Sequence, residues 1–265
     1  MITLLPPHYV PEDVTPEDCM LASIFWGFTI GFGWLTTWKA MRQSMRVWRR
    51  HQWGVFRSAF IWMIWLEIIV CLIFGIICYL HLLDIIPPSF AFYFVILTTW
   101  ALQVQFLLQI IVNRCAILLA SKRKANYIKI GVAILITAVN ISVYSIWIPA
   151  RLQISERYMW INSWWDRVEK VIYLLVDAAL NIYFIRVVKR NLVGCGMTKY
   201  RSLVRFNIFI IGFSLSMDVL IIGTMSLSNS FVTKQVYLLQ QVHPLAYIVK
   251  LNIEMTMADL IAKVA

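Results

Sequence analysis

Four polar or ionisable side chains recur at helical spacing inside an apolar run near the end of the chain. They are His243, Tyr247, Lys250 and Glu254, and they are separated by four, three and four residues. This spacing stacks them on one face of an α-helix. A charged side chain near the centre of a bilayer costs on the order of 3 kcal/mol. The stripe must therefore face partners or water inside a helical bundle.

Other apolar runs carry groups that could be those partners. Glu67, Asp177 and Asp218 each lie well inside a run, and Asn181 follows Asp177 by one helical turn. With the lysine and the glutamate of the first stripe, this places four carboxyl groups and one amine at bilayer depth. They cannot all be charged and paired, so some carboxyls are protonated, or the site accepts a cation or encloses water. We predict a ligand or proton site formed by Asp177, Asn181, Asp218, Tyr247, Lys250 and Glu254.

A purely structural role explains the same cluster in a different way. The polar groups would then hydrogen-bond between helices and fix their packing. Such bonds are worth only about 0.6 kcal/mol on average in membranes, which is small beside the cost of placing charges there.

Seven apolar runs, each close to the ~20 helical residues that cross a bilayer, must position these groups. They lie at about 20–38, 58–80, 90–113, 128–148, 169–186, 206–226 and 238–258. The composition agrees, because 61% of the 265 residues are hydrophobic and only 14% are charged. No alternating pattern of barrel strands is present, so the spanning elements must be helices. The sequence predicts an all-α membrane protein, with an outer segment 1–19 and a single seven-transmembrane helix bundle at 20–265.

Basic residues are distributed unequally between the two sets of loops. The loops after the first, third and fifth runs are rich in lysine and arginine and contain no Asp or Glu, whereas the opposite side mixes a few of each sign. The positive-inside rule then places the N-terminus outside and the C-terminus in the cytosol. The net charge of +11 reflects this topology and not nucleic-acid binding.

The two longest connections, 39–57 and 149–168, combine aromatic and charged residues. We expect the first to lie on the inner membrane surface, and the second to lie on the outer surface or to cap the bundle. The basic inner loops are also a candidate surface for a cytosolic partner. We expect a multi-pass protein of the plasma membrane or an endomembrane. The five cysteines show no metal-site spacing, so no metal is predicted.

Known seven-helix classes offer partial matches. Lys250 lies where microbial rhodopsins attach retinal, but the usual carboxylate counter-ion in the third helix is missing, so no cofactor is expected. The inner end of the third run has the sequence Val112-Asn113-Arg114-Cys115, so the Asp-Arg-Tyr motif of G-protein-coupled receptors is absent there. Glu67 resembles the second-helix acid of fungal membrane-bound terpene cyclases. That resemblance implies an intramembrane acid catalyst with Glu67 and Asp218 as its acids, although the second acid of that family lies in the last helix.

A closer resemblance covers most of the chain from the third run onward. The segments that carry it are Ile146–Gln153, Asp177–Phe184, Ser216–Asp218 and Val249–Ile261. They resemble an uncharacterised family of integral membrane proteins of filamentous ascomycete fungi. The resemblance implies a fungal seven-helix protein and assigns no site residues.

The leading hypothesis is a non-enzymatic membrane protein of receptor or sensor type. A small ligand or a proton that competes with Lys250 for Asp177 or Asp218 would shift the packing of the last three helices. The alternatives are the acid catalyst and a proton-coupled carrier, which requires a continuous polar path from both faces.

Overall fold

Helices make up all the regular structure that the computed structural model of this chain describes. It describes residues 6, 9, 16–51, 58–119, 121–190, 208–209, 211–219, 222–223 and 236–262. We number the helices α1 (Pro16–His51), α2 (Ala59–Leu82), α3 (Phe90–Leu118), α4 (Lys122–Arg151), α5 (Glu156–Val188), α6 (residues 211–219) and α7 (Val236–Ala262). Each apolar run of the sequence overlaps one of them. Within the described residues the all-α prediction is confirmed.

Five of these helices, α1 to α5, are long and apolar enough to cross a membrane. Their outward faces carry large exposed apolar side chains, such as Trp34 on α1 and Tyr127 on α4. Side chains of this kind suit a lipid environment and would be unfavourable in water as a continuous surface. Five such helices indicate a multi-pass membrane protein.

The helices extend further than the apolar runs do. The basic residues 39–51 continue α1 without a break, and 52–57 lie outside the described residues. The predicted surface segment 149–168 is almost entirely helical, because α4 runs to Arg151 and α5 begins at Glu156. Charged residues end an apolar run, but they do not end a helix. A helix ends where its terminal backbone groups find other partners.

The turn between α4 and α5 illustrates such an ending. Gln153 adopts a left-handed φ of 53°, and its N–H donates to the carbonyl of Ala150 (3.1 Å). The Ser155 hydroxyl then caps α5 by accepting from the N–H of Arg157 (3.3 Å). This is the usual pairing of a left-handed C-terminal residue with a serine N-cap. The connection is consequently only a few residues long, and it holds α4 antiparallel to α5.

Helix α3 lies at the centre of the described bundle, where it contacts α2, α4, α5 and α7. Helix α7 contacts α1, α2 and α3. Later residues of α1 contact later residues of α7. Asn252 of α7 donates to Thr36 of α1 (3.0 Å), and Arg46 of α1 lies 2.6 Å from Asp259 of α7. The first and last helices are therefore parallel, as they would be if an odd number of crossings ran from the first to the last.

A close approach of α1 to α2 depends on Gly75. A Cβ atom at this position would lie 2.2 Å from Cζ3 of Trp26, whose ring also stacks against Tyr79. Small residues permit this kind of contact between membrane helices.

We expect Gly75→Ala to destabilise the protein by about 1–3 kcal/mol, because the added methyl group must displace the Trp26 ring. Gly131→Ala is the matched control, since a Cβ at Gly131 meets nothing within 4 Å. In the interior of α4 it should be neutral or stabilising by up to about 1 kcal/mol. Reversible unfolding in mixed micelles measures both. Equal stability of the two variants would contradict this account of the α1–α2 contact.

Candidate functional site

A buried lysine joins three helices. Lys250 of α7 donates from Nζ to Asp177 Oδ2 of α5 (2.8 Å) and to Asp218 Oδ2 of α6 (2.6 Å). These are the two carboxylates that sequence depth had suggested as partners. Because Lys250 is only 5% exposed, its ammonium group depends on both carboxylates for the compensation of its charge.

The two carboxylates are not equivalent. Asp177 is almost fully buried and also accepts a hydrogen bond from Nδ2 of Asn181 (2.6 Å). Asp218 is 20% exposed and accepts from Lys250. Its carboxyl also lies within hydrogen-bonding reach of the Asp177 carboxyl, a contact that needs a proton on one of the two acids. If Lys250 moved away while both acids were ionised, Asp177 would keep the bond from Asn181 and Asp218 would have no donor among the described residues. The link from α7 to α6 is therefore the more easily released of the two.

A second ion pair lies one turn further along α7, and its cation was not expected. Arg114 of α3 is 1% exposed and lies 2.6 Å from Glu254 Oε2. Its other guanidinium nitrogen donates to Asn181 Oδ1 (2.7 Å), and the group stacks on the ring of Phe184 (4.3 Å to the centroid). The planar, multiply donating guanidinium group suits this buried position better than an amine would.

The third apolar run ends at residue 113, which predicted Arg114 in an inner loop and left Lys250 as the one base at bilayer depth. That interpretation was wrong because α3 continues to Leu118, past the end of the apolar run. A signal was present in the sequence. Buried positions on α3 follow helical spacing from Gln103 through Leu107 and Ile110, and the next position of the row is Arg114.

Asn181 connects the two ion pairs into one network. It donates to Asp177 and accepts from Arg114, so hydrogen bonds and ion pairs run without a gap through Glu254, Arg114, Asn181, Asp177, Lys250 and Asp218. We call these six residues the inner network. Five of them carry formal charges, three negative and two positive, so the network has one negative charge in excess. It thus meets one of the conditions expected of a site that takes up a proton or a cation.

Tyr247, also expected at the site, lies on α7 one turn before Lys250. Of the ionisable groups around it, Asp218 belongs to the inner network. Among the described residues, no hydrogen bond joins Tyr247 to that network.

Glu67 of α2 is completely buried and separate from the inner network. Its Oε1 accepts from Cys71 Sγ (3.6 Å), and Cys71 in turn accepts from Gln103 (3.0 Å). The other carboxyl oxygen has no hydrogen-bond partner among the described residues, and no cation there pairs with it. Burying a carboxylate in this way costs several kcal/mol, a cost that the protonated acid does not carry.

The Arg114–Glu254 pair can be tested with a double-mutant cycle. Arg114→Met and Glu254→Met should each destabilise the protein by about 3–5 kcal/mol, because each leaves a buried charge without its partner. The double variant should lose much less than the sum of the two. The measurement is reversible unfolding in mixed micelles.

The exposed pair of Arg46 and Asp259 is the control for this cycle. Arg46 is 49% exposed, so Arg46→Gln should cost no more than about 1 kcal/mol. Additive effects in the Arg114–Glu254 cycle would show that the two side chains do not interact.

Comparisons of this chain with protein families, with curated proteins and with solved structures find no match. The resemblance to a fungal seven-helix family accordingly stays a prediction. The candidate site stands on its geometry alone.

Proposed function

We propose that this chain is a seven-helix membrane protein of receptor or sensor type, with the N-terminus outside and the C-terminus in the cytosol. Five spanning helices and the parallel arrangement of α1 and α7 support seven crossings. The orientation follows from the basic inner loops. Arg114 and Lys170 are both buried, which removes one basic residue from the inner loops and one from the outer loops. The excess of basic residues on the inner side is therefore preserved.

The observation that carries the proposal is the unequal sharing of Lys250 by Asp177 and Asp218. A switch needs an element with two arrangements whose free energies differ by a few kcal/mol. The element proposed for this role is α6, which is linked to α7 through Lys250 and Asp218. In one state Lys250 bridges α5 and α6. In the other, a proton or ligand has taken Asp218, and Lys250 stays with Asp177, which remains tied to the inner network through Asn181.

The output of such a switch would be read on the cytosolic side. Exposed basic residues occupy the inner ends of α1 and α4, among them Arg42 and Lys124. A cytosolic partner with an acidic surface would fit these positions and would sense movement of the neighbouring helices. In this proposal the protein makes and breaks no covalent bond.

An acid catalyst acting on a lipid-like substrate is the second candidate. It is favoured by one observation: Glu67 is completely buried and no cation among the described residues pairs with it, so it can hold a proton in the interior. A protonated Glu67 could donate that proton to a bound olefin, with Asp218 as the second acid. If the protein is an acid catalyst, Glu67→Gln should abolish turnover. If it is a receptor or sensor, Glu67→Gln should leave the switch unchanged.

The switch is tested with Asp218→Asn, which imitates the protonated carboxyl, and with Asp177→Asn. We expect Asp218→Asn to raise amide hydrogen exchange in residues 211–219 by about tenfold or more, as expected for a local loss of ~1.4 kcal/mol, and to leave α3 and α5 protected. Asp177→Asn should instead destabilise α3, α5 and α7 together, because Asp177 belongs to the continuous part of the inner network. Hydrogen-exchange mass spectrometry in nanodiscs measures both.

Asp259→Asn is the control, because this acid pairs with the exposed Arg46 and lies away from Lys250. If Asp218→Asn and Asp177→Asn had the same effect on every helix, the ion pairs would serve packing only. The switch would then be rejected.

A further inference from the structure

Three exposed arginines follow one another along the second half of α1. Arg42, Arg46 and Arg49 are separated by four and three residues, so they lie on one face of the helix. The chain has no acidic residue between Asp18 and Glu67. This half of α1 therefore contains nothing that could offset the charge of the three guanidinium groups.

A neighbouring helix offsets one of the three charges. Arg46 pairs with Asp259 of α7 at 2.6 Å. Within the described residues neither Arg42 nor Arg49 forms an ion pair. Three positive charges against one negative charge leave an excess of two at this surface, which would attract an anion.

A strip of large apolar side chains runs beside the arginines at the same height. Its members are 38–50% exposed and are spaced by three, four and three residues, which keeps them on one side of α1: Trp38, Met41, Met45 and Trp48. The strip continues the membrane-facing surface of the helix, where Trp34 is 74% exposed. A continuous apolar surface of this kind is unfavourable in water and suits lipid.

The length of α1 brings the arginines to the level of the lipid headgroups. Its 36 residues extend over about 54 Å, whereas a bilayer is about 30 Å thick in its hydrocarbon core and about 40–45 Å with its headgroups. A core entered at Met20 is left roughly 20 residues later, close to Lys39. The headgroup layer follows, and it coincides with Arg42 and the residues after it.

The two neighbouring surfaces specify a ligand that is both anionic and apolar. A guanidinium group binds a phosphate through paired N–H donors, and the excess charge favours a headgroup with net negative charge over a zwitterionic one. The tryptophan and methionine strip requires acyl chains next to that phosphate. A soluble phosphate would leave the strip uncovered, and an uncharged lipid would leave the arginines without a partner.

We propose that residues 38–49 of α1 bind an anionic phospholipid, whose headgroup contacts Arg42 and Arg49 and whose acyl chains lie along the apolar strip. We call this surface the α1 lipid site. A lipid there would leave the basic residues of α4 to the cytosolic partner. The proposal rests on the membrane location of the chain and does not depend on the receptor function.

Native mass spectrometry of the full chain in detergent, titrated with lipid, measures this binding. The probe is phosphatidylserine, and phosphatidylcholine with the same acyl chains is the comparison. We expect phosphatidylserine to bind about tenfold more tightly or better, and we expect glycerophosphoserine, which has the headgroup without the chains, not to displace it. Equal affinity for the two lipids would overturn the proposal. So would displacement by an equimolar amount of glycerophosphoserine, because the site would then bind soluble anions.

Two double variants that remove equal charge locate the site. Arg42→Gln with Arg49→Gln keeps the Arg46–Asp259 pair and should weaken phosphatidylserine binding about tenfold or more. Lys122→Gln with Lys124→Gln, at exposed positions in the first turn of α4, is the control. These two lysines lie on opposite sides of their helix and should contribute little. Equal losses in both double variants would show a general effect of surface charge and refute the site.

A third double variant tests the apolar strip without altering any charge. Met41→Gln with Met45→Gln should also weaken phosphatidylserine binding, by about threefold or more, because it removes apolar surface from the acyl chains. All the substituted side chains are exposed, so each variant is expected to fold. Unchanged binding in this variant would contradict the placement of the chains along α1.

Discussion

A charge inside a bilayer must be compensated by another part of the same protein, and the arrangement of this bundle depends on that constraint. The inner network satisfies it with side chains from α3, α5, α6 and α7, so none of these helices can shift far without leaving a charge unpaired. Removing one member of a buried pair costs about 3–5 kcal/mol, which is a large part of the stability of most domains. Apolar contacts fill the bundle, but they depend little on how two helices are aligned, so one helix could slide along another without losing them. The ion pairs fix the register.

The polar stripe of α7 serves two levels of the bundle. His243 lines a cavity with Glu169 and Lys170, whereas Lys250 and Glu254 belong to the inner network. Tyr247 lies between these two levels on the same helix. Helix α5 repeats the arrangement with Glu169 above and Asp177 below. A proton-coupled carrier would need groups at all these depths, and a receptor would use the same two helices to carry a change from the outer level to the inner one. In both cases the rigid helices α5 and α7 provide the coupling.

The sequence was informative wherever a group lay well inside an apolar run. Lys250, Asp177 and Asp218 are of this kind, and their pairing could be anticipated because few partners exist at that depth. Arg114, Glu169 and Lys170 lie at the ends of runs, where hydropathy cannot distinguish a charge in a loop from a charge on a helix that continues inward. Their burial depends on how α3 and α5 pack against α7, which is a tertiary property. Capping residues, such as Ser155 at the start of α5, mark the true helix boundaries better than the loss of hydrophobicity does.

The members of the inner network differ in how many partners each has, and this difference distinguishes a switch from a network that only fixes packing. A network that serves only packing gains most when every member has several partners, since each loss then costs less. Arg114 and Asp177 fit that description, because each is held by groups from more than one residue. Asp218 does not. It lies at the end of the network, is partly exposed, and repeats a negative charge that Lys250 already balances at Asp177. Its pairing adds little to the compensation of charge, yet it decides whether α6 is attached to α7. A terminal, redundant and accessible carboxylate is the member whose loss would move one helix and leave the other three in place.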